Sequence, residues 1–276
     1  MKSVEFLLGG ASGFFLTFFL LPAFVKLLQE GGATRSNYLG NQIPTGLGIV
    51  LIPAYFLTAL LMFDFFPEKL LTPFLLGIVF FGFLGVVDDL LGSRSSRGLR
   101  GHFGSLFRGI LTTGAFKALG GGLGALLIAL VSFPLRPWWE ILAGALLMAL
   151  SANTINLFDL RPGRAIKVFF LWFLILLGAV RGGGPLILLF PLAGGLLACA
   201  PYDFRGKGML GDVGANLLGI ALGMVTGWSL SFSAQLAVLG FLVFLHFLTE
   251  RYSLTEVINQ NRFLRFLDRL GRADLE

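Results

Sequence analysis

The apolar runs of this chain leave it little choice of fold. Stretches able to span a bilayer recur at about residues 4–28, 47–63, 72–87, 115–133, 138–158, 165–180, 184–200, 213–231 and 232–249, separated by short polar or Gly/Pro-rich breaks. About 20 apolar residues suffice to cross the hydrocarbon core as a helix. Only 13% of the residues are charged and 56% are hydrophobic, against roughly 25% charged in soluble domains. Mean hydropathy is +0.85, so a water-soluble globule is excluded. The expected fold is an all-α polytopic membrane protein of about nine transmembrane helices (nine to ten). We see no internal repeat and assign residues 1–253 to a single transmembrane domain, with 254–276 as a cytoplasmic basic amphipathic segment.

The first run follows Lys2 and continues to about Leu28, which exceeds the apolar core of a signal peptide. It reads as the first spanning helix. Nine spans put the termini on opposite sides. Of the 21 Lys and Arg residues, all but Lys2, Lys69, Arg136 and Arg181 then fall on one side. The positive-inside rule makes that side cytoplasmic and puts the N-terminus outside. A sequence pI near 9.8 suits anionic headgroups or phosphorylated substrates, and nucleic acid is not an expected partner. The single cysteine, Cys199, lies in an apolar run and reads as a buried small hydrophobe.

Acids and amides gather at the ends of the apolar runs on that basic side. Asp88 and Asp89 close the third run in "GVVDDLLG", Asn153, Asn156 and Asp159 end the fifth in "NTINLFDLRPGRA", and Asp212 opens the eighth in "GMLGDVGANLLG". Ionisable groups at the hydrocarbon edge are costly, which marks them as functional candidates. Pairing with loop arginines is the bland alternative for any one of them. Clustered carboxylates at a water-accessible edge suit Mg²⁺, which takes few protein carboxylates and shares its other positions with phosphates. Lys117, Arg161, Arg164, Arg205 and Lys207 supply cations nearby, and amides opening the eighth helix can receive an anion. Together these describe a pyrophosphate–Mg²⁺ site, in which the metal compensates the charge of Asp212.

These motifs resemble the polyprenyl-phosphate N-acetylhexosamine-1-phosphate transferase superfamily. "NQIPTGLGIV" at 41–50 is similar to its first cytoplasmic loop, bringing in Thr45. "GVVDDLLG" is similar to its aspartate pair, "NTINLFDLRPGRA" to its Asn/Asp segment, and "KGMLGDVGANLLG" to its Gly-Asp segment. The resemblance implies Mg²⁺-dependent transfer of a phospho-sugar from a UDP-linked donor to a polyprenyl (undecaprenyl) phosphate, releasing UMP, at the cytoplasmic face of a bacterial plasma membrane. It assigns Asp88 and Asp89 to lipid-phosphate activation and metal support, and Asp212 to Mg²⁺. Lys117, by its position near the basic loop, reads as a catalytic phosphate ligand or else as a snorkelling lysine. Asn153, Asn156, Asp159, Arg161, Arg164, Lys207 and Thr45 fall to substrate binding. Pairing as a homodimer is left open.

Several positions depart from the family pattern. Arg161 and Pro162 stand where that pattern has Gly and Asp, Ala215 replaces a serine, and residues 250–272 contain no histidine. They motivate a second reading, a catalytically reduced relative that binds lipid phosphate or a protein partner without turnover. A transporter, the third reading, would place its charges near the midplane. His102 reads as a loop histidine, His246 as a packed one, and "GGGLG" at 120–124 as a smooth helix face or a lipid groove. The 254–272 segment alternates apolar residues with arginines and suits the cytoplasmic leaflet, with partial cover of the site.

Overall fold

The structure, a computed structural model, describes residues 2–37, 39–92, 112–180 and 183–272. Every expected apolar run forms a helix: α1 (Lys2–Glu30), α2 (Leu51–Leu61), α3 (Glu68–Leu91), α4 (Thr113–Ser132), α5 (Trp138–Phe158), α6 (Arg164–Ala179), α7 (Phe190–Phe204), α8 (Gly211–Ser229) and α9 (Phe232–Arg251). Short 3-10 turns, Leu47–Val50 and Gly184–Leu189, lead into α2 and α7. The 254–272 region forms two further helices, α10 (Leu254–Gln260) and α11 (Arg262–Arg269). Helix starts follow local chemistry: Pro67 and Pro137 precede α3 and α5, while the Thr112 hydroxyl accepts the Ala115 N–H at 3.1 Å to cap α4.

Among the described residues six helical segments are long and apolar enough to cross a membrane: Ser3–Glu30, Glu68–Leu91, Thr113–Ser132, Trp138–Phe158, Gly184–Phe204 and Phe232–Arg251. Three of the nine expected runs fall outside that group. Helices α2 and α6 are short, at 11 and 16 residues. Helix α8 carries Asp212, Asn216 and Thr226, and nearly all of it is buried. A helix sheathed by protein does not need a lipophilic surface, so its composition understates its depth.

Helix α8 is the axis of the molecule, packed between α3 and α5, while α1 lies along α7. Contact with α3 is backbone to backbone: a Cβ on Gly85 would lie 2.3 Å from Val213 Cα. This close approach brings the end of α3 to the start of α8. Phe80 of α3 packs over Gly124 of α4, so the glycine-rich stretch serves helix packing. Phe15, Phe18 and Phe19 of α1 and Phe241, Phe244 and Phe247 of α9 point outward, uncovered by protein. Exposed Trp138 and Trp139 mark the opposite end of the bundle from the carboxylates, as interfacial aromatics do. Lys69 and Arg136 lie at that end too, at the start of α3 and in the α4–α5 turn.

The all-α expectation needs one amendment. An antiparallel ribbon, β1 (Thr34–Ser36) and β2 (Gln42–Pro44), pairs Arg35 with Ile43. The Asn37 side chain shapes its turn by accepting the N–H groups of Leu39 and Asn41. Strands of three residues carry too little periodicity to be read from sequence.

Candidate active site

Four helix ends converge. The last turn of α3 presents Asp88 and Asp89, the second turn of α4 presents Lys117, the first turn of α8 presents Asp212, and the last turn of α5 presents Asn156. Lys117 Nζ donates to Asp88 Oδ2 at 3.3 Å and also bonds Asp212 Oδ2. With its amide turned to satisfy both neighbours, Asn156 donates to Asp212 Oδ1 at 2.8 Å and accepts from Lys117 at 3.0 Å. Asp88 also receives the Thr113 hydroxyl and touches the Asp212 carboxyl. Asp88, Lys117, Asn156 and Asp212 thus form one partly buried cluster at the end of the bundle.

Asp89 turns the other way. Its Oδ2 accepts the Val213 N–H at 3.1 Å and its Oδ1 accepts the Thr45 hydroxyl at 3.4 Å. A carboxylate in this position satisfies open amides at the α8 N-terminus and favours the positive end of the helix dipole. Gly211 adopts φ +74°, and a Cβ there would lie 2.6 Å from Asp89 Oδ2 and 2.5 Å from the Gly46 N. Neighbouring aspartates therefore divide the work, Asp88 facing Lys117 and Asp89 fixing the backbone. Buried Thr45 belongs to the second group.

Asp159 caps the C-terminus of α5 and accepts the Gly211 N–H. Burial, and then the negative charges of Asp203, Asp212 and Asp89, push its carboxyl well above the usual range. Asn153 has an exposed side chain on α5 and makes no hydrogen bond to the cluster among the described residues. Arg161 is half-buried in the loop that follows. Arg164 is committed elsewhere: its Nε and Nη2 grip Asp268 at 2.6 and 3.1 Å, and its Nη1 donates to Thr255 at 2.9 Å. Exposed Lys207 lines a separate groove with Asn37, Gln42, Tyr202 and Arg205. Arg94, Arg97, Arg100, His102, Arg108 and Arg181 lie outside the described residues. His246 Nδ1 is packed 2.8 Å from the Leu242 carbonyl.

Sequence reasoning missed two supports of the cluster. Arg35, on the ribbon, donates to the carbonyls of Asp88 and Asp89, each at 2.9 Å, closing the C-terminus of α3. Buried Asp203 accepts the backbone N–H groups of Gly163 and Leu210, joining the loops on either side of the site. Asp203 was open to discovery as another acid at the end of an apolar run. Arg35 gave no such signal.

Metal chemistry has a defined but incomplete donor set here. Among the described residues no three His, Cys, Asp or Glu side chains are grouped to hold a metal ion. Asp88 and Asp212 are two hard carboxylates in one contact group. Two carboxylates fit the way Mg²⁺ binds, one or two from protein and the rest from phosphate and water.

A family model for glycosyl transferase family 4 matches residues 71–230. The chain belongs to glycosyl transferase family 4. No curated protein matches the sequence. The matched span holds Asp88, Lys117, Asn156, Asp159 and Asp212, whereas the ribbon carrying Arg35, and Thr45 just after it, lie before the span and α10–α11 after it. Membership in this family of glycosyl and phosphoglycosyl transferases, together with the six apolar helices, makes the protein a multi-pass membrane transferase whose family acts on polyprenyl phosphate.

Proposed function

We propose that this family 4 chain transfers a phospho-sugar from a nucleotide-diphosphate sugar, UDP-linked by resemblance, to a polyprenyl phosphate, releasing the nucleotide monophosphate. The supporting observation is the Asp88–Lys117–Asp212–Asn156 cluster at the end of the bundle. In this reading nine helices cross the membrane, the N-terminus is outside and the cluster faces the cytoplasm.

An oxygen of the acceptor phosphate attacks the sugar-bearing phosphorus of the donor. A new P–O–P bond forms, and the bond to the bridging oxygen breaks, that oxygen leaving with the nucleotide monophosphate. Both reactants are anions at neutral pH, so the chain must offset repulsion and align them; no proton need be removed from the acceptor. Lys117 is the cation among the carboxylates that meets incoming phosphate. Asp88 and Asp212 would hold Mg²⁺, which when bound supplies charge neutralisation of the donor pyrophosphate. Asn156 orients Asp212 and Lys117. Asp89, Thr45 and Arg35 are positioning residues that fix the ends of α3 and α8. Arg161 and Asp159, on the loop at the end of α5, border the donor side.

The test uses purified protein in detergent with undecaprenyl phosphate, Mg²⁺ and a panel of UDP- and CDP-sugars, read as nucleotide monophosphate release. Release from at least one donor, abolished by Asp212→Asn, is expected. If no donor turns over while undecaprenyl phosphate still binds, the chain is a non-catalytic relative and the transferase assignment fails.

A further inference from the structure

Helix α11 exposes its apolar side to solvent although it crosses nothing. At eight residues it is far too short to span, yet Phe263 is 67%, Phe266 61% and Leu270 56% exposed. Exposure on α1 or α9 follows from facing lipid tails; on α11 it needs another cause. At 100° per residue, Phe263, Phe266, Leu267 and Leu270 share one side of the helix. Arg262, Arg265 and Arg269 line the adjoining edge, all exposed and without an ion pair among the described residues.

The inward edge is fixed by Asp268, the only buried residue of α11. Its carboxylate takes two bonds from Arg164 and one from Arg272, while Lys167 reaches the carbonyls of Leu267 and Asp268. Asp268 therefore sets which face looks out. The position is defined as well. Span-competent α9 ends at Arg251, and α10 begins at Leu254, so the pair lies where the chain leaves the bundle. At the far end of α11 a groove of about 460 Å³ continues the apolar surface along Leu197, Pro201 and Phe204, with Arg205 and Arg272 at its rim.

We propose that the outer face of α11 docks on the anionic phospholipid surface of the membrane, inserting Phe263, Phe266, Leu267 and Leu270 while Arg262, Arg265 and Arg269 bind headgroup phosphates. An amphipathic helix with this charge edge lies in the interface plane, its apolar side below the headgroups. Three arginines near a negative leaflet give a preference for the charged surface of about 100-fold, from about 1 kcal/mol each. The proposal is independent of the transfer chemistry.

The experiment places a nitroxide on Phe266→Cys in the full-length protein; native Cys199 is buried. The protein is reconstituted in vesicles of phosphatidylcholine alone, or with roughly one third phosphatidylglycerol. Accessibility to oxygen and to a water-soluble nickel complex is read by electron paramagnetic resonance. Phosphatidylglycerol should move the label out of reach of nickel and into reach of oxygen. The Arg262→Gln/Arg265→Gln/Arg269→Gln variant should return it to the phosphatidylcholine value. A label that stays in water with phosphatidylglycerol, or an insertion that survives the triple substitution, overturns the proposal. So does a label shielded from both relaxants in every vesicle, the signature of cover by protein such as a second copy of the chain.

Discussion

Asp89 on α3 accepts the backbone N–H of Val213 on α8 at 3.1 Å, so the aspartate pair is split between two tasks. Asp88 faces Lys117 and Asp212. The split gives opposite signatures. Asp88→Asn should lower turnover by about 10²–10³-fold with the melting temperature nearly unchanged, because it removes a charge from the reacting end. Asp89→Ala should chiefly destabilise, by about 1–2 kcal/mol as for a lost helix cap. Parallel turnover and thermal-unfolding measurements on the two variants check the division.

Lys117 lies among two carboxylates and the Asn156 amide. Lys117→Met leaves those carboxylates unopposed and takes away the cation that meets phosphate. Turnover is expected to fall by about 10²–10³-fold, with the Michaelis constant for the donor rising as well. Steady-state kinetics decide it. A variant with wild-type rate would remove Lys117 from the mechanism.

Asp159 makes stability depend on pH. Burial first, then the negative charges of Asp203, Asp212 and Asp89, raise its native pKa above that of the unfolded chain. The native state thus holds the proton to higher pH than the unfolded state. Its destabilising effect is absent below the unfolded value of about 3.9 and grows as pH rises towards the native pKa, beyond which it levels off. Asp159→Asn keeps an acceptor for Gly211 and removes the charge. It should melt at a higher temperature than wild type at pH 8, with the advantage shrinking towards pH 4.

Arg164 and Asp268, 4% and 8% exposed, form a two-bond ion pair that holds α11. Burial raises the Asp268 pKa, but the Arg164 hydrogen bond and charge, with Arg272, outweigh it and leave the group low. The stability it supplies is present above the unfolded carboxyl pKa and is lost as pH falls through the native one. Asp268→Ala strands a buried guanidinium, a change worth about 3–5 kcal/mol. Hydrogen exchange should show α10 and α11 losing protection before the spanning helices. Uniform protection would place the cost elsewhere.

Gly211 combines φ +74° with contacts that leave no room for a methyl group. Gly211→Ala should cost at least the 1–2 kcal/mol of a left-handed residue, and activity should fall with it because Asp212 is the next residue. A melting curve and a rate on the same preparation test both effects.

The helices were legible because apolar residues fill each run, and α8 was found although its polar residues weaken it. Asp88, Asp212 and Asn156 were legible for a related reason: polar groups at the end of an apolar run need a cause. What lay beyond reach was direction. Nothing in "VVDD" tells which aspartate faces α4 and which caps α8; that follows from Gly85 against Val213. Arg164 reads as a ligand for phosphate until Asp268, 104 residues later, takes its guanidinium. Pro162 and Arg161 looked like losses, yet the Pro162 carbonyl accepts from Arg272 at 2.8 Å and joins the C-terminal segment to this loop. Pairings of this kind depend on packing of distant elements, which local pattern does not encode.

The account rests on Asp88 and Asp212 sharing Mg²⁺ with substrate phosphate. Calorimetric titration of UDP-N-acetylglucosamine, or whichever donor is turned over, into the protein with and without Mg²⁺ addresses that point. Binding should require Mg²⁺ in the wild type and disappear in Asp88→Asn/Asp212→Asn. Equal donor affinity with and without Mg²⁺, unaltered by the double substitution, would contradict it.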